Sequence, residues 1–308
     1  MKPVKDLEFR KGMKVSELME QFGKSGGFTA PKLYLAKEIM KEMKENDAEI
    51  FLSFPADIIS TGTRGAIIEL IKLGLVDHII TTAGMVDHDL ARCYKNYYHG
   101  DFMMDDKELR KEHKYRLGNV IIPNDNYGGI IERKMQPFLE RMYEKQKKWT
   151  VSDLVYEMGA EMKCESILKN AHDKKIDVFI PGYVDGSFGS QIWSFWEMHR
   201  DFQIDLLEDE HRISDIMFSS SDKKMGALMI GGGISKHHVI WWNQFRGGLD
   251  YAVYITTAQE YDGSLSGAQL REAISWGKVK EKAKQVTVEG EATVFLPILV
   301  ASLMDEFK

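Results

Sequence analysis

The chain has 308 residues, enough for one large α/β domain or two small ones with a substantial core. Its 44% hydrophobic and 29% charged residues are typical of a soluble globular protein. The formal net charge of -6 argues against a nucleic-acid partner and fits a cationic substrate. No run of eighteen apolar residues and no secretory pattern occurs, so we expect no membrane partner.

The early part of the chain predicts an arm followed by alternating strands and helices. The first 30 residues, ending at Gly26-Gly27-Phe28, are expected to form an N-terminal arm with a short helix. Short apolar runs predict buried strands at 49–54, 76–82, 177–180, 227–230 and 251–255, with helices at about 60–73 and 87–98. The charged stretch 107–148 predicts peripheral helices around a turn at 124–129.

Continuous apolar strands separated by helices are typical of parallel sheets that are buried on both faces. We therefore predict a Rossmann-like α/β fold, a parallel sheet flanked by helices, in a single large domain over residues 31–308. No internal repeat or flexible linker divides this range.

The two cysteines, Cys93 and Cys164, lie far apart in sequence and lack the paired spacing of zinc sites. We expect two reduced thiols, a cytoplasmic location and no metal site. His237 and His238 are adjacent on a predicted helix, so they point in different directions and cannot share a metal ion. One of them is a candidate general base, and a structural histidine is the alternative.

Polar and glycine-rich residues follow each predicted strand, at 57–60, 81–84, 181–186, 231–233 and 256–258. Ligands of open parallel sheets bind beyond the carboxyl ends of the strands, and glycines and helix N-termini suit phosphate groups. The pattern indicates a nucleotide or small anion, although no G-x-G-x-x-G or Walker motif is present. The alternative is that these glycines only make tight turns.

Lys278 is the most informative single residue, in the run Ser275-Trp276-Gly277-Lys278. An ordinary lysine is only about 0.1% neutral at neutral pH, and burial or a nearby cation raises that fraction. Trp276, with carboxylates before it in sequence, could hold an alkylammonium group by cation–π and ionic contacts. The alternative is that Lys278 only follows the glycine that ends a helix, where its positive charge interacts favourably with the helix dipole. The tryptophans at 193, 196, 241 and 242 are expected to pack in the core or between subunits.

Three runs are specific enough to indicate a family: GGGISKHH at 231–238, DYAVYITTAQEYDGS at 250–264 and EAISWGK at 272–278. Together with 59–64, 81–84, 185–189 and 292–301, they closely resemble deoxyhypusine synthases of archaeal type. The resemblance implies NAD-dependent removal of hydride from spermidine and attack of Lys278 on the resulting imine, with release of 1,3-diaminopropane. The aminobutyl group then passes to a lysine of the initiation factor 5A precursor, where NADH reduces the final imine.

The resemblance also implies the roles of individual residues. Lys278 and His237 are the expected catalytic pair. The positions expected to bind NAD are Ser60, Thr82, Ala83, Gly84, Asp185, Gly232, Thr257, Ala258 and Glu291. The positions expected to bind the substrate are Asp87, His88, Gly263, Ser264, Glu272 and Trp276. The family further implies a homotetramer of tight dimers with the pocket at an interface, where the helix at 14–23 could cover the entrance.

Departures from the eukaryotic family pattern concern the polyamine. His88, Ser190 and Leu265 stand where acids are expected, which leaves Asp87, Asp89 or Glu272 to compensate. At the adenosine end, Glu291 replaces an aspartate and Asp57 an asparagine. Two alternatives therefore stay open beside deoxyhypusine synthesis: aminobutyl transfer to a small amine, as in homospermidine synthases, and a non-catalytic NAD-binding paralogue.

Overall fold

The structure is a computed structural model that describes residues 1–219 and 222–307, so the final residue of the predicted 31–308 domain lies outside it. Its helices are α1 Val15–Phe22, α2 Ala30–Glu45, α3 Arg64–Lys72, α4 Ala83–Tyr94, α5 Asp106–Lys111, α6 Gly128–Lys145, α7 Val151–Glu161, α8 Ile167–Lys174, α9 Ser187–Met198, α10 Leu206–Ser219, α11 Gly233–Asn243 and α12 Ala292–Phe307. Its strands are β1 Glu49–Ser53, β2 His78–Ile80, β3 Tyr98–His99, β4 Lys114–Leu117, β5 Val120–Pro123, β6 Lys148–Trp149, β7 Asp177–Phe179, β8 Gln203–Ile204, β9 Met225–Ile230, β10 Leu249–Thr256 and β11 Val279–Glu289.

The chain forms two compact units. Unit 1 comprises Met1–Phe54, Glu69–Ile80 and Ile213–Lys308, and unit 2 comprises Pro55–Ile68 and Thr81–Arg212. Residues 1–30 therefore belong to unit 1, and the domain boundary expected near residue 30 stays a prediction. No helix within 1–219 or 222–307 has the length and apolar character needed to cross a membrane.

Unit 1 is built on parallel strands in the order β11-β10-β9-β1-β2. All six residues of β9 are buried, which explains their continuous apolar sequence. This sheet and its flanking helices confirm the predicted α/β class.

One strand of unit 1, β11, was missed by the sequence analysis. It pairs with β10 alone, and the residues from Lys280 to Gln285 are exposed or half-buried. An edge strand needs no continuous apolar run, so its charged sequence does not resemble the buried strands.

Unit 2 departs from the prediction between residues 107 and 148. Helices α5 and α6 are present, but β3, β5 and β4 form a small antiparallel sheet between them. Helix α4 begins at Ala83, four residues before the predicted start. Gly84 lies in its first turn, where a side-chain Cβ would be 2.7 Å from the Ala56 Cβ. The glycine expected to mark a turn is therefore a close-packing position within a helix.

The expectation of two reduced thiols is wrong, because Cys93 and Cys164 form a disulfide with their Cα atoms 5.5 Å apart. Their sequence separation of 71 residues hid this proximity. Helix α4 packs against the start of α8, where Asp89 accepts hydrogen bonds from the amides of Ile167 and Leu168 at 3.1 and 2.9 Å. The disulfide removes the argument from free thiols, so the cytoplasmic location stays a prediction.

A buried lysine joins three helices of unit 1. Lys37 of α2 is 1% exposed, and its Nζ lies 2.5 Å from Glu20 of α1, 3.1 Å from Glu38 and 3.2 Å from Glu306 of α12. These hydrogen bonds raise the pKa of Lys37 well above its ordinary value despite the opposing effect of burial. The N-terminal helix is thus fixed to α2 and α12 by charge as well as by packing.

We expect Lys37→Met to lower the free energy of unfolding by about 1–3 kcal/mol, because Glu20, Glu38 and Glu306 then lose the buried ammonium group that pairs with them. Lys41→Met is the control, since Lys41 is 33% exposed and pairs with Glu306 alone at 2.9 Å. Its loss should stay below about 1 kcal/mol. Urea unfolding of both variants measures the difference, and equal losses would contradict a special role for Lys37.

Candidate active site around Lys278

A cavity of about 330 Å³ in unit 1 contains both predicted catalytic residues. Its walls come from α11, from the segment 265–269, from the 3-10 helix Leu270–Ile274 that follows it, and from the turn after that helix. The lining residues are Lys236, His237, Ile240, Trp241, Leu265, Ala268, Gln269, Leu270, Glu272, Ala273, Trp276 and Lys278. Lys278, His237, Glu272 and Trp276, all predicted from sequence, thus line one cavity.

Lys278 is directed into this cavity by a tight turn. The 3-10 helix Leu270–Ile274 is followed by a turn that contains Gly277, whose φ of 67° lies in the left-handed region that favours glycine. The Lys278 amide donates to the Ala273 carbonyl at 3.0 Å, and its carbonyl accepts from the Leu249 amide of β10 at 3.1 Å. Lys278 thus follows a glycine after a helix, as the alternative interpretation expected, but it is only 7% exposed and its amine lies in the cavity.

Two indole rings face the Lys278 amine. The Nζ atom lies 5.3 Å from the Trp276 ring centroid and 5.5 Å from the Trp241 ring centroid. Trp241 was expected to pack in the core or between subunits, and its place in the cavity wall was missed. The spacing from His237 could have shown it, because residues four apart on a helix share one face.

His237 lies beside the same amine on α11, with its ring 5.6 Å from the Trp241 ring and tilted by 32°. Burial lowers the pKa of His237, and the positive charge of Lys278 lowers it further. The imidazole is therefore neutral at neutral pH and can accept a proton.

Lys236 fixes one wall of the cavity and was also missed. Its ammonium group donates to the carbonyls of Leu265 and Ala268 at 2.9 and 2.7 Å, and lies 3.6 Å from the Tyr254 ring centroid. Burial lowers the pKa of Lys236 to about 8, although Glu272 opposes the shift. The residue is fully enclosed, which suits a structural clamp.

Gly263 and Ser264 lie outside the cavity lining, on the loop that leads to its wall. Gly263 has a φ of 74°, and the Ser264 amide donates to Asp262 at 2.7 Å. Their predicted contact with the substrate stays a prediction.

Four predicted cofactor positions follow adjacent strands of unit 1. Gly232 comes after β9, Thr257 and Ala258 after β10, and Glu291 after β11. The register of these parallel strands puts the four residues at the same edge of the sheet, as expected for those after β9 and β10, and cofactor binding by them stays a prediction. Gly232 precedes α11 without a side-chain cap, and a Cβ there would lie 2.1 Å from the Ser266 Oγ.

The other cofactor positions form a separate group in unit 2. Thr82 precedes α4 without a side-chain cap, and Ala83 and Gly84 begin the helix. A Cβ on Gly186 would lie 3.0 Å from the Ala83 Cβ and 3.4 Å from the Gly84 nitrogen, so the backbone is tightly packed here. Ser60 is buried at the end of the 3-10 helix Asp57–Ser60, and Asp185 is exposed.

Two acids considered as replacements for the missing carboxylates have structural partners. Asp87 accepts from Tyr127 at 2.8 Å and from the amides of Ser187 and Phe188 at 2.9 and 2.7 Å, at the start of α9. Burial raises the pKa of Asp87 to about 6 against these hydrogen bonds. Asp89 pairs with Arg64 at 2.6 Å, in addition to its bonds at the start of α8. Among the cavity-lining residues that the structure describes, Glu272 is the sole carboxylate.

Comparisons with known proteins identify the family of the chain. A family model for deoxyhypusine synthase matches residues 17–303. The chain belongs to the deoxyhypusine synthase family. It is 58% identical over 304 residues to a protein of Thermoplasma acidophilum named probable deoxyhypusine synthase, covering 98% of this chain and 97% of that one. A protein of Sulfurisphaera tokodaii with the same name is 47% identical, covering 98% and 96%.

The solved structures give the same fold. A deoxyhypusine synthase homologue from Entamoeba histolytica superimposes with a TM-score of 0.66 at 22% identity, covering 99% of this chain and 98% of that one. The family is one of transferases, so the chain is an enzyme that belongs to an aminobutyl-transferring family.

His88 generates a prediction about stability and pH. Burial, and then Arg92, lower the pKa of His88 from 6.5 to about 4, while its Nδ1 lies 3.0 Å from the Tyr97 hydroxyl. The unfolded chain therefore binds more protons between pH 4 and 6.5, and the free energy of unfolding must fall as pH falls through that range. The loss for this group is up to about 3 kcal/mol.

We expect His88→Gln, which cannot titrate but can still bond Tyr97, to lose less stability between pH 7 and pH 5 than the wild type. Urea unfolding at the two pH values measures this difference. Parallel pH profiles for the two proteins would contradict the assigned pKa.

Proposed function

We propose that the protein transfers the aminobutyl group of spermidine to one lysine of the initiation factor 5A precursor, forming deoxyhypusine, through an imine on Lys278 and with NAD as cofactor. The observation that carries the proposal is a buried lysine amine beside a neutral imidazole in a cavity walled by indoles, in a chain of this family. The substrate, acceptor and cofactor are inferred from the family.

The residues at the strand ends fit a dinucleotide chemically. The uncapped starts of α4 and α11 offer backbone N–H groups, which suit phosphate oxygens. Glu291 is a carboxylate after a parallel strand, a group that accepts hydrogen bonds from ribose hydroxyls. When bound, NAD would supply the oxidation beside the secondary amine of spermidine and the later reduction. Ser60, Thr82, Ala83, Gly84, Asp185, Gly232, Thr257, Ala258 and Glu291 are the residues proposed to hold it.

Lys278 is the proposed nucleophile. Its neutral amine attacks the imine carbon of oxidised spermidine, and a new C=N bond to Lys278 forms as 1,3-diaminopropane leaves. The acceptor lysine then attacks the same carbon and displaces Lys278. The apolar residues of the wall, such as Leu265 and Leu270, form no hydrogen bonds with water and so disfavour hydrolysis of the imine.

His237 is the proposed proton carrier. Its depressed pKa keeps the imidazole neutral, so it can take the proton that Lys278 must lose before it attacks. It can return that proton to the leaving amine. The substrate pocket is completed in this proposal by Asp87, His88, Gly263, Ser264, Glu272 and Trp276.

We expect His237→Gln to lower kcat by about 10²- to 10⁴-fold, because glutamine keeps polarity and cannot carry a proton. Steady-state transfer of labelled spermidine to the acceptor measures this effect. His238→Gln is the control from the adjacent position, outside the cavity lining. If both variants lose activity equally, a specific role for His237 is wrong.

The function itself is tested with NAD and spermidine labelled in the aminobutyl group, with the precursor protein in one arm and a free diamine in the other. We expect label on the precursor with wild-type enzyme and none with Lys278→Ala. The second candidate is transfer to a small amine, favoured by Leu265 at an expected acidic position in the cavity wall. Label in the free diamine alone would establish that candidate and overturn the first.

We further propose that the enzyme is a cytoplasmic homotetramer of tight dimers. The exposed side chains of Trp193, Met198 and Leu207 are large apolar surfaces that subunit contacts would cover. Helix α1 packs on α2 and α12 of its own unit, and none of its residues lines the cavity. The expected covering of the pocket entrance by residues 14–23 would therefore take place between subunits of the tetramer. Light scattering of the full chain measures the subunit number, and a monomer would contradict the proposal.

A further inference from the structure

The cavity around Lys278 is poor in negative charge for a site that receives a polyamine. Glu272 is the one carboxylate among its described lining residues, while Lys236 and Lys278 contribute two amines. Leu265, Ile240 and Leu270 give the wall an apolar character. A substrate with several ammonium groups needs some other stabilisation when it leaves water.

Trp241 offers that stabilisation. Its ring centroid lies 5.5 Å from the Lys278 Nζ, and the Trp276 centroid lies 5.3 Å from it, both within the range of cation–π attraction. The two residues are 42% and 67% exposed, so core packing does not occupy their faces. An amine at the position of the Lys278 Nζ therefore lies near two accessible indoles.

The orientation of Trp241 is set by contacts with two neighbouring rings. His237 precedes it by four residues on the same face of α11, and Phe245 follows in the 3-10 helix Gln244–Arg246, with ring centroids 5.6 and 6.1 Å away. These two contacts hold the indole at the cavity wall. A preorganised ring binds a cation without paying the entropy of ordering its own side chain.

We propose that Trp241 is a substrate-recognition residue that, with Trp276, forms an aromatic cage for an alkylammonium group of the polyamine. The cage takes over part of the task of the acids that are replaced at positions such as Leu265. This inference rests on the proposed function for its substrate, and it adds a specificity residue that the family pattern did not indicate.

The experiment compares Trp241→Phe, which keeps a weaker π face, with Trp241→Leu, which keeps apolar bulk alone. We expect Trp241→Leu to raise the KM for spermidine by about 5- to 30-fold with a smaller change in kcat, and Trp241→Phe to lie between it and wild type. Tyr115→Leu, at an exposed aromatic residue of β4 outside this cavity, is the control and should leave KM unchanged. Thermal unfolding of each variant identifies any loss of fold.

Site-specific fluorinated tryptophans at position 241 remove charge from the ring face and barely change its shape. The affinity for spermidine, measured by calorimetry with NAD present, should fall stepwise with each added fluorine. Unchanged affinity across the series, or a loss confined to kcat, would overturn the cage. Calorimetry measures binding without turnover, so it tests the aromatic cage independently of the transfer reaction. If wild-type enzyme labels neither acceptor, the proposed function is wrong, and the calorimetric result still decides whether Trp241 binds the polyamine.

Discussion

The clamp between the start of α11 and the loop 264–268 is the constraint on which the rest of the site depends. Lys236 donates to the carbonyls of Leu265 and Ala268, and the Tyr254 hydroxyl donates to the Ser266 carbonyl at 2.5 Å. Gly232 lies so close to Ser266 that no side chain fits between them. These contacts join the ends of β9 and β10 to the loop that leads to Lys278. The loop that forms this cavity wall is thereby held in position by the sheet.

The clamp also explains why the charges in this region differ in role. The ammonium group of Lys236 donates to two loop carbonyls and so stabilises the conformation of the loop. Lys278 is buried in the same cavity, where the indoles and His237 surround it. Two lysines line one cavity, and the two carbonyl partners of Lys236 assign it the structural task, while the chemical task is the one proposed for Lys278.

The sequence predicted those parts of the fold that depend on continuous burial. β1, β9 and β10 are apolar along their length and were predicted, whereas the exposed edge strand β11 has a charged sequence and was missed. Lys278, Trp276 and the histidine pair were singled out from the local pattern. The family resemblance then selected His237 and added Glu272, and the structure brings these four residues to one cavity.

Other features depend on pairings that no local pattern contains. The Cys93–Cys164 disulfide and the use of Asp89 at the start of α8 arise from segments that are distant in sequence. Asp87 was expected to bind the substrate. Its hydrogen bonds to the amides at the start of α9 could not be predicted without the position of α9. Which carboxylates lie near Lys278 could therefore be established only from the three-dimensional structure.

The central claim is that the Lys278 amine becomes covalently attached to the aminobutyl group. Borohydride added to wild-type enzyme with NAD and spermidine would reduce such an imine to a stable amine, and peptide mass analysis would locate it. The account predicts one aminobutyl adduct on the peptide that contains Lys278 and none in Lys278→Arg, which keeps the charge and lacks the nucleophile. An adduct on another residue, or an unmodified Lys278 in enzyme that still transfers label, would contradict it.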